Sequence, residues 1–219
     1  MKLFTLAAAF VLATATAYCI EPASPSASAP MVTQPVTPIS AASLPSPSDV
    51  IQAAAQGALN ELAVKRDTYR KHPEDIRPLV DKYLLPHFDT EYAARLVLGS
   101  HWRTATSEQR TRFIDAFYRS LLTQYSGAFV DLTLDQMQIF PTSVEPNADR
   151  ATVRTQVKHS DADRIAVNYS MHKTVGGWKV YDVSVDGISY VKSYREDFAE
   201  QIQQRGLESV IARLEKGAR

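Results

Sequence analysis

The apolar residues of this chain change period at Asp131, and that change restricts the fold more than any other feature. Upstream, Phe113, Phe117, Leu121 and Tyr125 recur every four residues, with Ile114, Tyr118, Leu122 and Phe129 beside them. That spacing lines one face of a long helix, and so wide a stripe implies deep burial. Downstream, residues 135–140, 151–159, 164–173 and 178–185 alternate in steps of two, the period of half-buried strands. Pro141 and Pro146-Asn147, then Ser160-Asp161 and Gly176-Gly177, supply the turns. Four consecutive strands with short turns predict an antiparallel meander, closed by Asp186-Gly187.

Helical patterns flank the meander. Ser48 or Asp49 is placed to cap a helix over residues 50–70. Pro73 suits the first turn of a second helix, 74–84, which Pro86 ends. Asp89 or Thr90 opens a third, 91–98, stopped at Gly99. Thr106 and Gln109 have the spacing of a capping box at the start of the long helix. Beyond the strands, 190–204 and 207–216 read as helices separated by Gly206. Helices, then strands, then helices define an α+β fold with helices on one sheet face.

The amino-terminal end has a different composition. Lys2, an apolar run over 3–13 and small residues at Ala13, Ala15 and Ala17 read as a secretory signal peptide, residues 1–17. The run is shorter than the ~20 residues a bilayer span needs. Cys19 is the only cysteine, so no internal disulfide is possible. Bulky Tyr18 before it argues against lipid modification. Residues 18–48 are rich in Pro, Ala and Ser, which suits a flexible linker. The folded domain is expected over 49–219.

The 24 basic and 24 acidic residues cancel, so no basic field favours nucleic acid. His72, His87, His101, His159 and His172 show no metal-ligand spacing, and there is no G-x-S-x-G, phosphate loop or dinucleotide turn. Tyr181, Asp182, Asp186 and His172 could form an acid–base pocket. The blander reading is that Asp182 binds a neighbouring backbone or Arg195.

Ile165, Val167, Tyr169 and Met171 share one strand face; Val153 and Val157 share another, as do Met137 and Ile139. In the last strand, Tyr181, Val183 and Val185 lie opposite Trp178 and Val180, and alternation leaves its orientation open. An apolar sheet face under striped helices makes either a solid core or an apolar cavity. Patterning does not separate the two, because cavity walls and core look alike.

Phe88-Asp89, residues 94–99 (ARLVLG), Trp102-Arg103, Gln109-Arg110, Phe113, Phe117, Leu121-Leu122, Tyr125, residues 177–183 (GWKVYDV), Gly187-Ile188-Ser189, Tyr194-Arg195 and Phe198 occur in this order and spacing. Through them the chain resembles the MlaC family, also called the toluene-tolerance Ttg2D family, over roughly residues 50–216. The resemblance implies an NTF2-like fold, a four-stranded mainly antiparallel sheet cradled by amino- and carboxy-terminal helices. It implies a Sec-exported, monomeric, non-enzymatic protein of the Gram-negative periplasm. Phospholipid would be its cargo, with no cofactor and no metal. The implied partners are an outer-membrane lipoprotein complex (MlaA-like) and an inner-membrane ABC transporter with an MCE-domain subunit (MlaD-like). The implied role is maintaining outer-membrane lipid asymmetry. An NTF2-like small-molecule enzyme and a ligand-free scaffolding domain are the alternatives.

Such a carrier needs a dry pocket, since a ~16-carbon chain costs roughly 13 kcal/mol to place in water at about 0.8 kcal/mol per CH₂. Facing patterns nominate Leu96, Phe113, Phe117, Leu121 and Tyr125 from the helices, and Met137, Ile139, Val153, Ile165, Val167, Tyr169 and Val183 from the sheet. Tyr190 is nominated beyond the sheet, near a mouth where Lys192 and Arg195 could meet phosphate or a partner protein.

Overall fold

Helix α1 (Pro47–Lys71) starts earlier than its apolar pattern suggests because Ser46, not Ser48 or Asp49, is its cap. The Ser46 hydroxyl accepts the Asp49 N–H at 3.2 Å, and the Asp49 carboxylate accepts the Ser46 N–H at 3.1 Å. Two orphan donors are thereby satisfied reciprocally. These contacts come from a computed structural model that describes residues 44–145, 147–158 and 163–217. The expected signal peptide, Cys19, the linker up to residue 43 and the turn at Ser160-Asp161 lie outside the described residues.

The single helix expected over 74–84 is divided. A 3-10 turn (Pro73–Ile76) leads into α2 (Arg77–Tyr83). Pro78 has no N–H to give the carbonyl four residues back, so one α-helical ladder does not run through. Asp89 caps α3 (Thr90–Leu98) by accepting the Tyr92 N–H at 2.9 Å. Gly99 ends α3 at φ 55°, a value that suits glycine. One further turn, α4 (His101–Thr104), precedes the long helix α5 (Ser107–Val130). The Thr106–Gln109 capping box forms as its spacing predicts, with both bonds at 3.1 Å.

The sheet runs in chain order, antiparallel throughout: β1 (Met137–Ile139), β2 (Arg150–Lys158), β3 (Arg164–Thr174), β4 (Gly177–Val185) and β5 (Ile188–Ser189). It has five strands where four were expected. Asp186 and Gly187 both take positive φ, the geometry of a tight hairpin turn, and fold Ile188-Ser189 back onto Ser184-Val185.

Strand β4 contains the second departure from simple alternation. Ser170 pairs with Asp182 but Met171 pairs with Val180, leaving Tyr181 as the extra residue of a β-bulge. One inserted residue reverses the parity of everything beyond it. Trp178 and Val180 therefore share a face with Val183 and Val185, not the opposite face that strict alternation gives.

Helices α6 (Tyr190–Arg205) and α7 (Leu207–Gly217) close the fold. Among the described residues, three apolar clusters hold it together. One joins α3, α5, α6 and α7 around Phe113, Phe198 and Ile211. A second joins α1 and α2 to the end of α5 around Leu62, Leu79 and Val130. The third seats Ile51 of α1 on the sheet at Val153, Met171 and Val180.

Polar ties cross these seams. Arg112 of α5 forks onto Glu215 of α7, with two bonds of 2.9 Å, and also reaches Glu208. Arg66 of α1 donates to the carbonyls of Val130 and Leu132 at 2.8 Å each, satisfying acceptors left open at the end of α5. Among the described residues, no helix is long and apolar enough to cross a membrane.

Candidate functional site

The apolar face of the sheet is filled at one end and open at the other. At the filled end, Val153, Met171 and Val180 are fully buried under α1. At the other, Val157, Ile165, Val167, Val183 and Val185 face a hollow of about 790 Å³. The bulge at Tyr181 falls between the two halves, where a bulge bends and further twists its strand.

The opposite wall comes from α5, through Ile114, Phe117, Leu121, Leu122, Tyr125 and Phe129. Residues 76–94 supply one side, notably Val80, Leu84 and Phe88, and α6 supplies another through Tyr190, Val191 and Tyr194. Hydrocarbon dominates this lining, and its few polar residues include Thr90, Gln136, Lys158 and Asp182.

Tyr118, Tyr125 and Tyr194 in the wall have protein partners for their hydroxyls. Tyr118 donates to Asp81 Oδ1 at 2.5 Å. Desolvation, then the Asp81 carboxylate, push its pKa above the ordinary phenol value. Tyr194 donates to Gln124 at 3.3 Å, and the Gln124 amide donates to Tyr125 at 3.1 Å. Loss of hydration raises Tyr190 to about 12, with the Tyr125 hydroxyl reinforcing the shift. The same two causes raise Tyr194. Tyr118, Tyr190 and Tyr194 are therefore un-ionised at neutral pH.

Seven of the thirteen nominated residues line this space: Phe117, Leu121, Tyr125, Ile165, Val167, Val183 and Tyr190. Phe113 does not, because it is fully buried between α5 and α6 against Phe117 and Phe198, at ring separations of 5.5 and 5.6 Å. Val153 is core beneath Ile51, and Met137, Ile139 and Tyr169 pack on that same solid cluster. Leu96 lines a separate polar recess. Alternation put Met137, Ile139, Val153 and Tyr169 on the apolar face of the sheet but did not separate its filled half from its open half. Ile76, Val80, Leu84 and Phe88 were missed, since the segment carrying them folds as short turns with no extended period. Val157 and Val185 were legible, sharing faces with Val153 and Val183.

The four acid–base candidates each have structural partners. Asp182 accepts the Ser189 hydroxyl at 2.6 Å and the Val191 N–H at 3.0 Å, the neighbouring-backbone alternative. Asp186 accepts the Ala166 N–H, and His172 Nε2 lies 3.0 Å from Asp89. Tyr181 accepts from Arg150 at 3.2 Å. Among the described residues, no three His, Cys, Asp or Glu gather as a metal site would require.

A helix-wrapped antiparallel sheet with an apolar hollow built into it defines the class of protein. Residues 52–216 match the family described as MlaC protein, and the chain belongs to that family. Toluene tolerance protein ttg2D of Pseudomonas putida is 28% identical over 161 residues, covering 73% of this chain and 74% of that protein. The intermembrane phospholipid transport system binding protein MlaC of Haemophilus influenzae is 24% identical over 178 residues, covering 79% and 82%. Among solved structures, the phospholipid-binding protein from Ralstonia solanacearum in complex with a phospholipid shares the fold. Its TM-score is 0.71 at 24% identity, over 77% of this chain and 94% of that one.

Proposed function

We propose that this chain is a periplasmic phospholipid carrier. It takes acyl chains into the hollow between α5 and the open half of the sheet, and leaves the headgroup outside the hollow. In this reading it shuttles lipid between an outer-membrane complex and an inner-membrane transporter, MlaA-like and MlaD-like respectively, and so maintains outer-membrane asymmetry. The helix-cradled sheet is read as NTF2-like, residues 1–17 as its export signal and the segment from residue 18 up to the Ser46 cap of α1 as a flexible linker. No covalent step is part of this function. The binding and transport named for its relatives support the reading.

The observation that carries the proposal is the hydrocarbon-lined volume of about 790 Å³. Apolar surface left facing water costs ~25 cal/mol per Å², so a folded domain that keeps such a hollow open needs a partner to fill it. An acyl chain fits the chemistry of Leu121, Val167 and Val183 and asks no hydrogen bond of them. Phe117, Tyr125, Ile165 and Tyr190 complete the proposed lipid contacts.

Native mass spectrometry of the protein purified from a periplasmic extract, followed by organic extraction, tests this. The expected result is a mass increment that resolves into diacyl phospholipid. A bare protein mass, with no extractable lipid and no uptake from vesicles, would contradict the proposal.

A further inference from the structure

Beside the hollow lies a second space of about 440 Å³ with a different chemistry. The two share Tyr181, Asp182 and Val191 in their linings. From that junction the recess is walled by Ser170 and Ser184 on the sheet and by Lys192 and Arg195 on the first turns of α6.

We infer that this recess binds a phosphate group. The inference rests on the carrier reading above only where the phosphate is a lipid's own.

Every charged group facing the space supports that chemistry once its partners are counted. The one carboxylate, Asp182, already accepts a hydroxyl and a backbone N–H at the start of α6, so its oxygens are turned to protein donors. Among the described residues, neither Lys192 nor Arg195 has a carboxylate within ion-pair distance, in contrast to Arg70, Arg112 and Lys82. The half-buried hydroxyls of Ser170 and Ser184 likewise have no side-chain partner among the described residues.

Arg195 is also positioned. Its guanidinium lies over Gly99, where an added Cβ would sit 3.1 Å from Nε. The missing side chain at the end of α3 is what gives the guanidinium its seat. Two donor-only cations and two free hydroxyls able to donate, with no uncompensated acid, suit a phosphate oxygen, which only accepts. Ser170 and Ser184 lie on the sheet face opposite Val183 and Val185, and the two spaces meet at Tyr181, Asp182 and Val191, so a phosphate held there would sit across that edge from tails held in the hollow.

The test uses the full mature protein and two probes. In the first arm, vesicles offer equal amounts of a diacyl phosphatidyl lipid and the diacylglycerol with the same tails, and retained lipid is counted by mass spectrometry. The wild type should retain the phosphate-bearing lipid with about tenfold preference, equivalent to one well-placed charged contact at roughly 1.4 kcal/mol. The double variant Lys192→Gln, Arg195→Gln should lose the preference and keep the total load. Both side chains are exposed, so the variant should fold; circular dichroism checks it.

In the second arm, inorganic phosphate is titrated into delipidated protein while the amides of Ser184 and Lys192 are followed by NMR. Saturation in the wild type but not the variant, with no lipid preference in the first arm, supports the recess and assigns it to free phosphate. No preference and no phosphate response would overturn the inference. If the wild type retains no lipid of either kind, the carrier reading falls, and the phosphate titration alone then decides the recess.

Discussion

Tyr125 near the end of α5 stacks on Tyr190 at the start of α6, with ring centroids 5.3 Å apart and planes 18° from parallel. The pair joins two walls of the hollow, and the Tyr125 hydroxyl lies 3.5 Å from that of Tyr194. The pairing sets an alkaline limit on the fold. Tyr190 is raised to about 12, first by lost hydration, whereas an unfolded tyrosine titrates near 10. The folded state therefore holds a proton that the unfolded chain releases. Its contribution to stability is intact below about pH 10 and lost as pH climbs through about 12. Spectrophotometric titration should show a late tyrosine class, and Tyr190→Phe should shrink that class while keeping the stack.

Val167 and Val153 lie on one sheet face and should respond in opposite ways. Val167 borders the hollow, so Val167→Glu places a carboxylate where an acyl chain would lie. An unpaired buried charge costs several kcal/mol, which should cut retained lipid by more than about tenfold with little change in Tm. Val153 is fully buried core, and Val153→Ala should cost about 2 kcal/mol and leave the lipid load alone. Lipid extraction and thermal melting on both variants check the contrast. Phe117 is the wrong position for this test: it lines the hollow but also belongs to the α3–α5–α6–α7 core, so a charge there would unfold the protein.

That contrast also marks how far the sequence could be read. The caps at Asp89 and Thr106, the change of period near Asp131 and the breaks at Gly99 and Gly206 are local chemistry, and each appears where its residues place it. The Tyr181 bulge is not local: it depends on how β4 meets β3, so alternation separated Trp178 and Val180 from Val183 and Val185, with which they share a face. Strand β5 is two residues long, too short to carry a period. The open half of the sheet was illegible for a deeper reason. Val153 and Val167 are the same side chain on the same face, and only the position of α1 fills the space over one and leaves the other bare.

Gly57 sits mid-helix in α1, where alanine is normally preferred by about 1 kcal/mol. Here a Cβ would lie 2.5 Å from the ring of Tyr83. Gly57→Ala should therefore destabilise by about 1–3 kcal/mol, as overpacking does. Adding Tyr83→Leu should recover much of the loss. Urea denaturation of the single and double variants measures both.

Arg66 should matter more than an exposed cation normally does. Its two bonds go to the Val130 and Leu132 carbonyls, at and just past the end of α5. Arg66→Met keeps much of the stem and removes both donors. The expected cost is about 1–3 kcal/mol, the usual penalty for orphaned acceptors, read as a lowered Tm. Hydrogen exchange should quicken over the last turn of α5 and stay unchanged at Phe113.

The central claim is that the space between Leu121 and Val167 is filled by acyl chains in the working protein. A crystal structure of the protein taken directly from a periplasmic extract, without delipidation, tests it most directly. The account predicts continuous unbranched density running between those two residues, with its polar end toward solvent. Ordered water there, or side chains of α5 collapsed onto the sheet, would contradict it.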